Sequence, residues 1–357
     1  MIDSLALFIL LFCLFFIVRV KFLKDKPCET EAGATVMAFG IFINGAMRNI
    51  YFLDKNVSWL SAILLFLLWI FIGVSYINSA INKTISEKHF KEPIKSFAVG
   101  TWIAGTSVCG IAIYERVQWL TAFAKILFWA NLALWIFYMG LCIRNYSVIF
   151  KNGLNNKVHG VLLLSTVSTQ SLVVLGNTMF SKKYPVLASQ LFIVLGLLLY
   201  VIGFVAVVRR YLFDTMWNVE DDWQNTNCIL HGSMFITGLA SVVSKSISSN
   251  IIFMFWIWGI LCFIIVELIE IVRAIKRISK YGFKKGIVVY NVTQWSRIFT
   301  FGMFYAFTMK FDLKQADISS SIFFNLQNII LKSGTWIMVI ILVIEGILFF
   351  SYETARE

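Results

Sequence analysis

Five times along this chain, a membrane-length segment rich in Gly, Ser, Thr and Asn is followed by one composed almost wholly of Leu, Ile, Phe and Trp. Segment 160–177 carries nine small or polar residues of the first kind, counting its glutamine, whereas segment 191–208 carries only two glycines. Lipid favours an apolar exterior and gives small polar side chains no reason to face it. The alternation therefore predicts five polar helices enclosed by five apolar ones, an arrangement that would form a pore.

Eleven segments are long and apolar enough to cross a bilayer, which requires roughly 20 residues. They are centred on residues 3–23, 32–52, 57–80, 96–115, 117–143, 158–180, 186–213, 224–247, 250–276, 290–310 and 324–351. The last ten pair as hairpins, each polar and then apolar, and all three prolines fall in loops, which predicts continuous helices. We therefore expect an all-α polytopic membrane protein with ten core transmembrane helices in residues 29–357. Residues 1–28 would form one additional N-terminal transmembrane helix and a basic cytoplasmic loop.

Composition agrees with this class and explains the net charge of +12 without a nucleic-acid partner. Hydrophobic residues make up 59% of the chain and charged ones 14%, against about a quarter charged in soluble domains. If segment 32–52 begins in the cytoplasm, the cytoplasmic side holds 20 Lys and Arg and the outer side 8. This positive-inside bias places both ends of the ten-helix core in the cytoplasm and the protein in the cytoplasmic membrane.

Motifs for enzymatic or cofactor chemistry do not appear in the sequence. The acidic cluster at 220–222 has no second cluster to face it, and there is no HExxH, GxSxG or P-loop motif. The six cysteines form no CxxC pair and lie mostly inside spans, where they are expected to pack as small apolar residues. We expect neither an enzyme nor a bound cofactor or metal.

One bulky ring lies within a row of small side chains in segment 290–310. Ser296, Phe299, Gly302 and Ala306 share a stripe if this segment is helical. Facing a pore, Phe299 would form a hydrophobic constriction that excludes water. The alternative is ordinary packing, since the chain has 34 phenylalanines.

Hydroxyls and amides on segment 158–180 admit two interpretations. Thr166, Gln170 and Asn177 share a face, flanked by Ser165 and Thr169. They could solvate a passing ion in place of water, or they could join neighbouring helices. The recurrence of such faces in five segments favours the pore.

Ionisable residues within spans are candidates for function because their burial in lipid is costly. Arg297, near the opposite side of its helix from Phe299, could supply positive potential to an anion pathway, or could pair helices. His231 is a second candidate for attracting an anion. Glu267 and Glu270, one turn before Arg273, are expected to form intrahelical ion pairs.

Five segments in order resemble the tellurite-resistance/C4-dicarboxylate transporter family, which includes the bacterial TehA protein and plant slow-type anion channels. They are 34–41, 99–110, 168–176, 232–240 and 295–303, and the third, STQSLVVLG, is the most specific. The resemblance covers residues 30–350 and is closest to the dicarboxylate and malate branch.

The resemblance implies ten helices in five hairpins around a quasi-fivefold pore lined by the odd core helices, in protomers that form homotrimers. It implies that Phe299 is the gate. The pore-lining positions expected from the alternation and the resemblance are Gly40, Gly105, Thr166, Thr169, Gln170, Gly238, Ser296 and Gly302. Thr300 and Ser165 stand where the family often has proline, so the kinks of those helices are expected to differ.

The function expected from these observations is an anion channel or channel-like permease in contact with membrane lipid. Its substrates would be small anions, namely monovalent anions, sulfite or C4-dicarboxylates such as malate. A proton-coupled dicarboxylate or oxyanion carrier is the first alternative, with His231 or Glu267 as a titrating group. A non-conducting sensor or a membrane-embedded enzyme is the second.

Overall fold

The computed structural model describes residues 27–316, 318 and 320–354. The additional helix predicted at 3–23 lies outside the described residues. The described chain is 86% helical, without strands, which confirms the all-α polytopic prediction. Its ten long helices are α1 Gly33–Asn44, α2 Ser58–Ile81, α3 Gly100–Arg116, α4 Thr121–Lys151, α5 Leu164–Phe180, α6 Val186–Phe213, α7 Ile229–Ser244, α8 Ser249–Ile287, α9 Gln294–Lys310 and α10 Ser321–Thr354. Eight meet the length and hydropathy of a membrane-spanning helix, while α1 and α9 have only 12 and 17 residues.

The five odd-numbered helices form a closed ring. Helices α1, α3, α5, α7 and α9 contact one another in that order, and α9 returns to α1. The even helices pack outside the ring, each against its hairpin partner, and α2, α4 and α6 also against the next odd helix. Burial follows the same division, because 89–94% of the membrane-spanning windows of α3, α5 and α7 is buried, against 22–44% for the even helices.

Two helices are broken at glycines, at Gly45 inside the predicted span 32–52 and at Gly282 beyond the end of the predicted span 250–276. Helix α1 ends at Asn44, Gly45 takes φ −120° and ψ −96°, and a 3₁₀ turn follows at Ala46–Asn49. Helix α8 is broken at Gly282, whose φ of +76° lies in the region that glycine alone adopts readily. The expectation of an unbroken helix over 32–52 is therefore wrong.

Hydroxyl groups of the inner helices bond mostly to backbone carbonyls of their own helix. Ser168 Oγ donates to the Ser165 carbonyl at 3.0 Å, and Thr237 Oγ1 donates to the Ser233 carbonyl at 2.7 Å. These bonds satisfy the hydroxyls without water and leave the side chains compact. Inner helices can therefore approach one another closely while remaining polar in composition.

Tryptophans of outer helices bond to threonines of the next inner helix. In each case an indole N–H donates to a threonine Oγ1 across the ring boundary. The pairs are Trp69–Thr106 at 2.8 Å, Trp135–Thr169 at 3.0 Å and Trp256–Thr308 at 3.0 Å. Three of the five outer helices are thus attached to the ring by the same type of contact.

Candidate functional site

The C-terminal halves of all five inner helices meet around one cavity of about 90 Å3, which we call the vestibule. Asn44, Ser107, Ser171, Leu239 and Ala306 line it, one from each segment of the ring. Because every inner helix contributes its C-terminal part, the five helices run in the same direction. The vestibule therefore marks the axis of the ring at this end.

Phe299 lies directly beneath the vestibule on the stripe of α9 that faces it. Met303, Ala306 and Lys310 line the vestibule, and Phe299 precedes them by 4, 7 and 11 residues, so all four share one helical face. The ring of Phe299 is 1% exposed. The spacing that singled out Phe299 thus places it on the axial side of α9.

At the height of Phe299 along the axis of the ring, the interior is apolar and excludes water. Met37, Ala104 and Val167 each lie four residues, about one turn, before a residue that lines the vestibule. All three are fully buried and belong to the same hydrophobic cluster as Phe299. We call Phe299, Met37, Ala104 and Val167 the constriction. A water-filled passage would expose these side chains, so none crosses this level in this conformation.

The vestibule carries two cations and one carboxylate. Arg48 Nε donates to the Asn44 carbonyl at 2.9 Å, and its guanidinium forms an ion pair with Glu115. Lys310 has no carboxylate partner among the described residues. The vestibule therefore has a net charge of +1, which attracts anions and repels cations.

The amide of Asn44 and two serines provide polar groups on the vestibule wall. Asn44 Nδ2 donates to the Val108 carbonyl at 2.9 Å, and Asn44 Oδ1 is buried with no hydrogen-bond partner in the described chain. Ser107 and Ser171 share a hydrogen bond of 3.0 Å between α3 and α5. Ser171 Oγ donates to the Ser168 carbonyl at 2.7 Å, so Ser107 is the donor to Ser171, and both serine protons are in use. Asn44 Oδ1 can only accept a hydrogen bond. These groups make the wall polar, and the attraction of an anion rests on the cations.

Three predicted pore-lining residues of α5 contact outer helices. Thr166 Oγ1 donates to the Gly196 carbonyl and Gln170 Nε2 to the Ile193 carbonyl, both in α6 and both at 3.1 Å. Thr169 accepts its hydrogen bond from α4. These contacts favour the helix-joining interpretation of the polar face over the ion-solvating one.

The predicted pore-lining glycines permit close packing between helices. An added Cβ would lie 2.5 Å from a side-chain atom of α3 at Gly40, 3.1 Å from the Gly33 carbonyl oxygen at Gly105, and 2.2 Å from a ring of α9 at Gly238. At Gly302 it would meet α1 and α10. Ser296 is buried one turn before Phe299.

Arg297 and His231 lie in a partly buried ionic network between α7, α8 and α9. Arg297 Nη1 is 2.8 Å from Glu267 and its Nη2 is 3.0 Å from Glu270. His231 Nε2 lies 3.4 Å from the other oxygen of Glu267, and Arg273 pairs with Glu270 as predicted. The prediction of an intrahelical pair for Glu267 is wrong, because Glu267 pairs with residues of α7 and α9. Two carboxylates offset the charge of Arg297 on the side of α9 opposite Phe299. This arrangement favours the helix-pairing interpretation, and neither Arg297 nor His231 lines the vestibule.

Sequence reasoning missed the charged residues of the vestibule. Arg48 and Lys310 entered it only among the basic residues counted on the outer side, and Glu115 was not considered. Their position at the C-terminal ends of three polar segments was the available signal, because such ends must meet if the polar segments form a ring.

The sequence model of the family described as SLAC1, voltage-dependent anion channel, matches residues 29–347. No curated protein matches the chain.

Proposed function

The chain belongs to the SLAC1 voltage-dependent anion channel family, and from this premise we propose that anions cross along the axis of the five inner helices, with Phe299 occluding the path. Membrane anion transport follows from the family, which is not a family of enzymes. The route and the gate are our proposal. The observation that carries it is a vestibule lined by all five inner helices, with the buried ring of Phe299 one turn before Met303 on the face of α9 that lines it.

Selection for anions rests on diffuse positive charge. Lys310 and Arg48 outnumber Glu115 at the vestibule, and the remaining polar groups are neutral. A hydrophobic constriction then controls whether water and ions pass. Anions enter readily and are held weakly, as conduction requires.

Small monovalent anions fit the vestibule better than malate does. A dicarboxylate bound at both ends needs two available cations, and planar guanidinium groups are suited to this role. Arg48 is already paired with Glu115, which leaves only the ammonium of Lys310. We therefore place chloride and nitrate ahead of sulfite and of C4-dicarboxylates.

The proposal also covers the orientation of the protein in the membrane, the membrane in which it lies and its oligomeric state. The excess of basic residues at one side, 20 against 8, supports a cytoplasmic location for the start of each inner helix and an outward-facing vestibule. We further propose residues 29–357 as the transport domain, the cytoplasmic membrane as its location and a homotrimer as its assembly. The mass of the purified protein in detergent tests the assembly.

Planar-bilayer recording of purified protein tests the function. Recordings in chloride, nitrate, sulfite and malate gradients should give reversal potentials near those of the anions, with the largest currents in chloride or nitrate. Phe299→Ala protein should be recorded in parallel, because the wild-type pore is shut in the conformation described. If neither protein conducts, or if reversal potentials follow the cation, the proposed route is wrong.

The contact between His231 and Glu267 favours a second candidate, a proton-coupled carrier. A buried imidazole 3.4 Å from a carboxylate inside a membrane protein is a possible proton site. The channel proposal predicts that His231→Gln leaves anion flux independent of an imposed pH gradient, as in the wild type. A carrier predicts saturable, gradient-driven uptake into liposomes that His231→Gln abolishes.

A further inference from the structure

A large groove lies on the outer surface of the bundle, away from the vestibule. It has a volume of about 880 Å3 and runs between the end of α4, the turn Leu154–Lys157 and the second half of α6. Val201, Ile202 and Val205 of α6 form its apolar wall, and Phe150 and Phe213 also line it. These five side chains are exposed in the described chain.

Basic and amide groups lie at the end of this groove near the helix termini. Arg209 and Arg210 of α6 line it together with Asn155 and Asn156. The carboxylate of Asp214 is also present and accepts a hydrogen bond from the Met216 amide at 3.0 Å. The groove therefore contains two cations and one carboxylate.

Arg210 is a partly unsatisfied cation in this groove. It is 9% exposed, and its Nη1 donates to the Val158 carbonyl at 2.7 Å. Its Nε is buried with no hydrogen-bond partner among the described residues. A buried guanidinium lacking part of its hydrogen bonding is stabilised by an anionic acceptor.

The order of these groups matches an amphiphile with an anionic head. Val201 and Arg209 are eight residues apart on α6, a distance of about 12 Å along the helix. We propose that the groove binds one anionic phospholipid, with an acyl chain along Val201, Ile202 and Val205 and the phosphate at Arg209 and Arg210. Basic pockets between transmembrane helices near the membrane surface bind such head groups. A zwitterionic lipid would place its own ammonium near the same two cations, which is unfavourable.

Native mass spectrometry of the purified full-length protein tests this site. Protein in mild detergent is offered dioleoylphosphatidylglycerol and dioleoylphosphatidylcholine at equal concentration, and the retained amounts are compared. The wild type should retain phosphatidylglycerol preferentially, and Arg209→Gln should reduce the preference by about fivefold, as expected for one arginine near the membrane surface. Arg209 is exposed, so its replacement leaves the fold intact. Arg144→Gln, which removes an exposed arginine of α4 outside the groove, is the matched control and should leave the preference unchanged.

A second variant tests the apolar part of the site. Val205→Trp fills the groove at an exposed position and should lower retention of both lipids. Equal retention of the two lipids by the wild type, an unchanged preference in Arg209→Gln, or an equal loss in Arg144→Gln would each overturn the proposal. A change in the mass of the protein assembly caused by Val205→Trp would overturn it too, because the groove would then be covered by a second copy of the chain.

Discussion

Replacing Phe299 with alanine should open the pore. The ring is the largest of the four side chains that define the constriction, and all four belong to one buried hydrophobic cluster. Its loss joins the space at this level to the vestibule above Phe299. Water can then enter, and a hydrated anion no longer has to cross a dry apolar layer.

The expected increase in current follows from the cost of dehydration. Burying a polar group without a hydrogen bond costs about 1–3 kcal/mol in proteins, and each 1.4 kcal/mol of barrier changes a rate by about tenfold. An anion crossing the closed constriction loses at least one such contact. We therefore expect Phe299→Ala to raise anion flux by about 10- to 100-fold.

The same substitution should destabilise the protein. Truncation of a buried phenylalanine to alanine costs about 3–5 kcal/mol through lost burial and the cavity left behind. Phe299 is 1% exposed, so the full cost applies. Flux must therefore be compared at equal amounts of folded, incorporated protein, measured by size-exclusion chromatography and by quantification in liposomes.

Phe307→Ala provides the matched control. Phe307 lies on the same helix and is fully buried, but its ring packs against Gly238 of α7 instead of facing the constriction. Both variants should lose comparable stability, and only Phe299→Ala should conduct strongly in chloride-efflux and bilayer assays. Equal flux from Phe299→Ala and the wild type would refute the gate, and so would a similar increase in Phe307→Ala.

Three further predictions concern charge. Glu115→Gln should raise anion current a few-fold at low salt and little at high salt, because it increases the net positive charge of the vestibule, whereas Arg48→Gln should lower it. Arg297→Gln should lower the thermal midpoint by a few degrees, since the partly buried carboxylates of Glu267 and Glu270 each lose one ion-pair partner and keep only His231 and Arg273; an unchanged midpoint would contradict the network. Burial, aided by nearby lysines, lowers the pKa of His89 to about 4 in a loop between α2 and α3. The folded pKa lies below the unfolded value, so stability should be lost as pH falls from about 6.5 to 4, and thermal melts should show a smaller loss in His89→Gln.

The alternation of polar and apolar segments predicted correctly which helices form the ring. The physical reason for the alternation is partly different from the one inferred from the sequence. Small residues such as Gly40 and Gly238 are inside because they allow inner helices to touch. The hydroxyls of Thr166 and Thr169 bond to outer helices. Composition alone does not show which neighbouring helix a side chain will contact.

Residues whose partners lie far along the chain were the least predictable. Spacing paired Glu270 with Arg273 three residues away, but the 30-residue separation of Arg297 and Glu267 left no local signal. The break at Gly45 likewise left no local signal; a Cβ there would lie 2.9 Å from the Ile41 carbonyl oxygen. The helical stripe of Phe299 was predictable because it depends only on the period of one helix.

Contacts on the other faces of α9 indicate how the constriction can open. Arg297 holds the start of the helix to α8 by two ion pairs, and Tyr305 bonds to Thr335 of α10 at 2.7 Å. Gly302 is packed against α1 so closely that even a Cβ would clash. Rotation of α9 about its axis would break all of these contacts at once, whereas a change in the side-chain rotamer of Phe299 breaks none of them. If Phe299 is the gate, as we propose, the lower-energy route is movement of the ring alone. We then expect flux to depend on the side chain at 299 and stability on the contacts of Arg297, which lies on the opposite face.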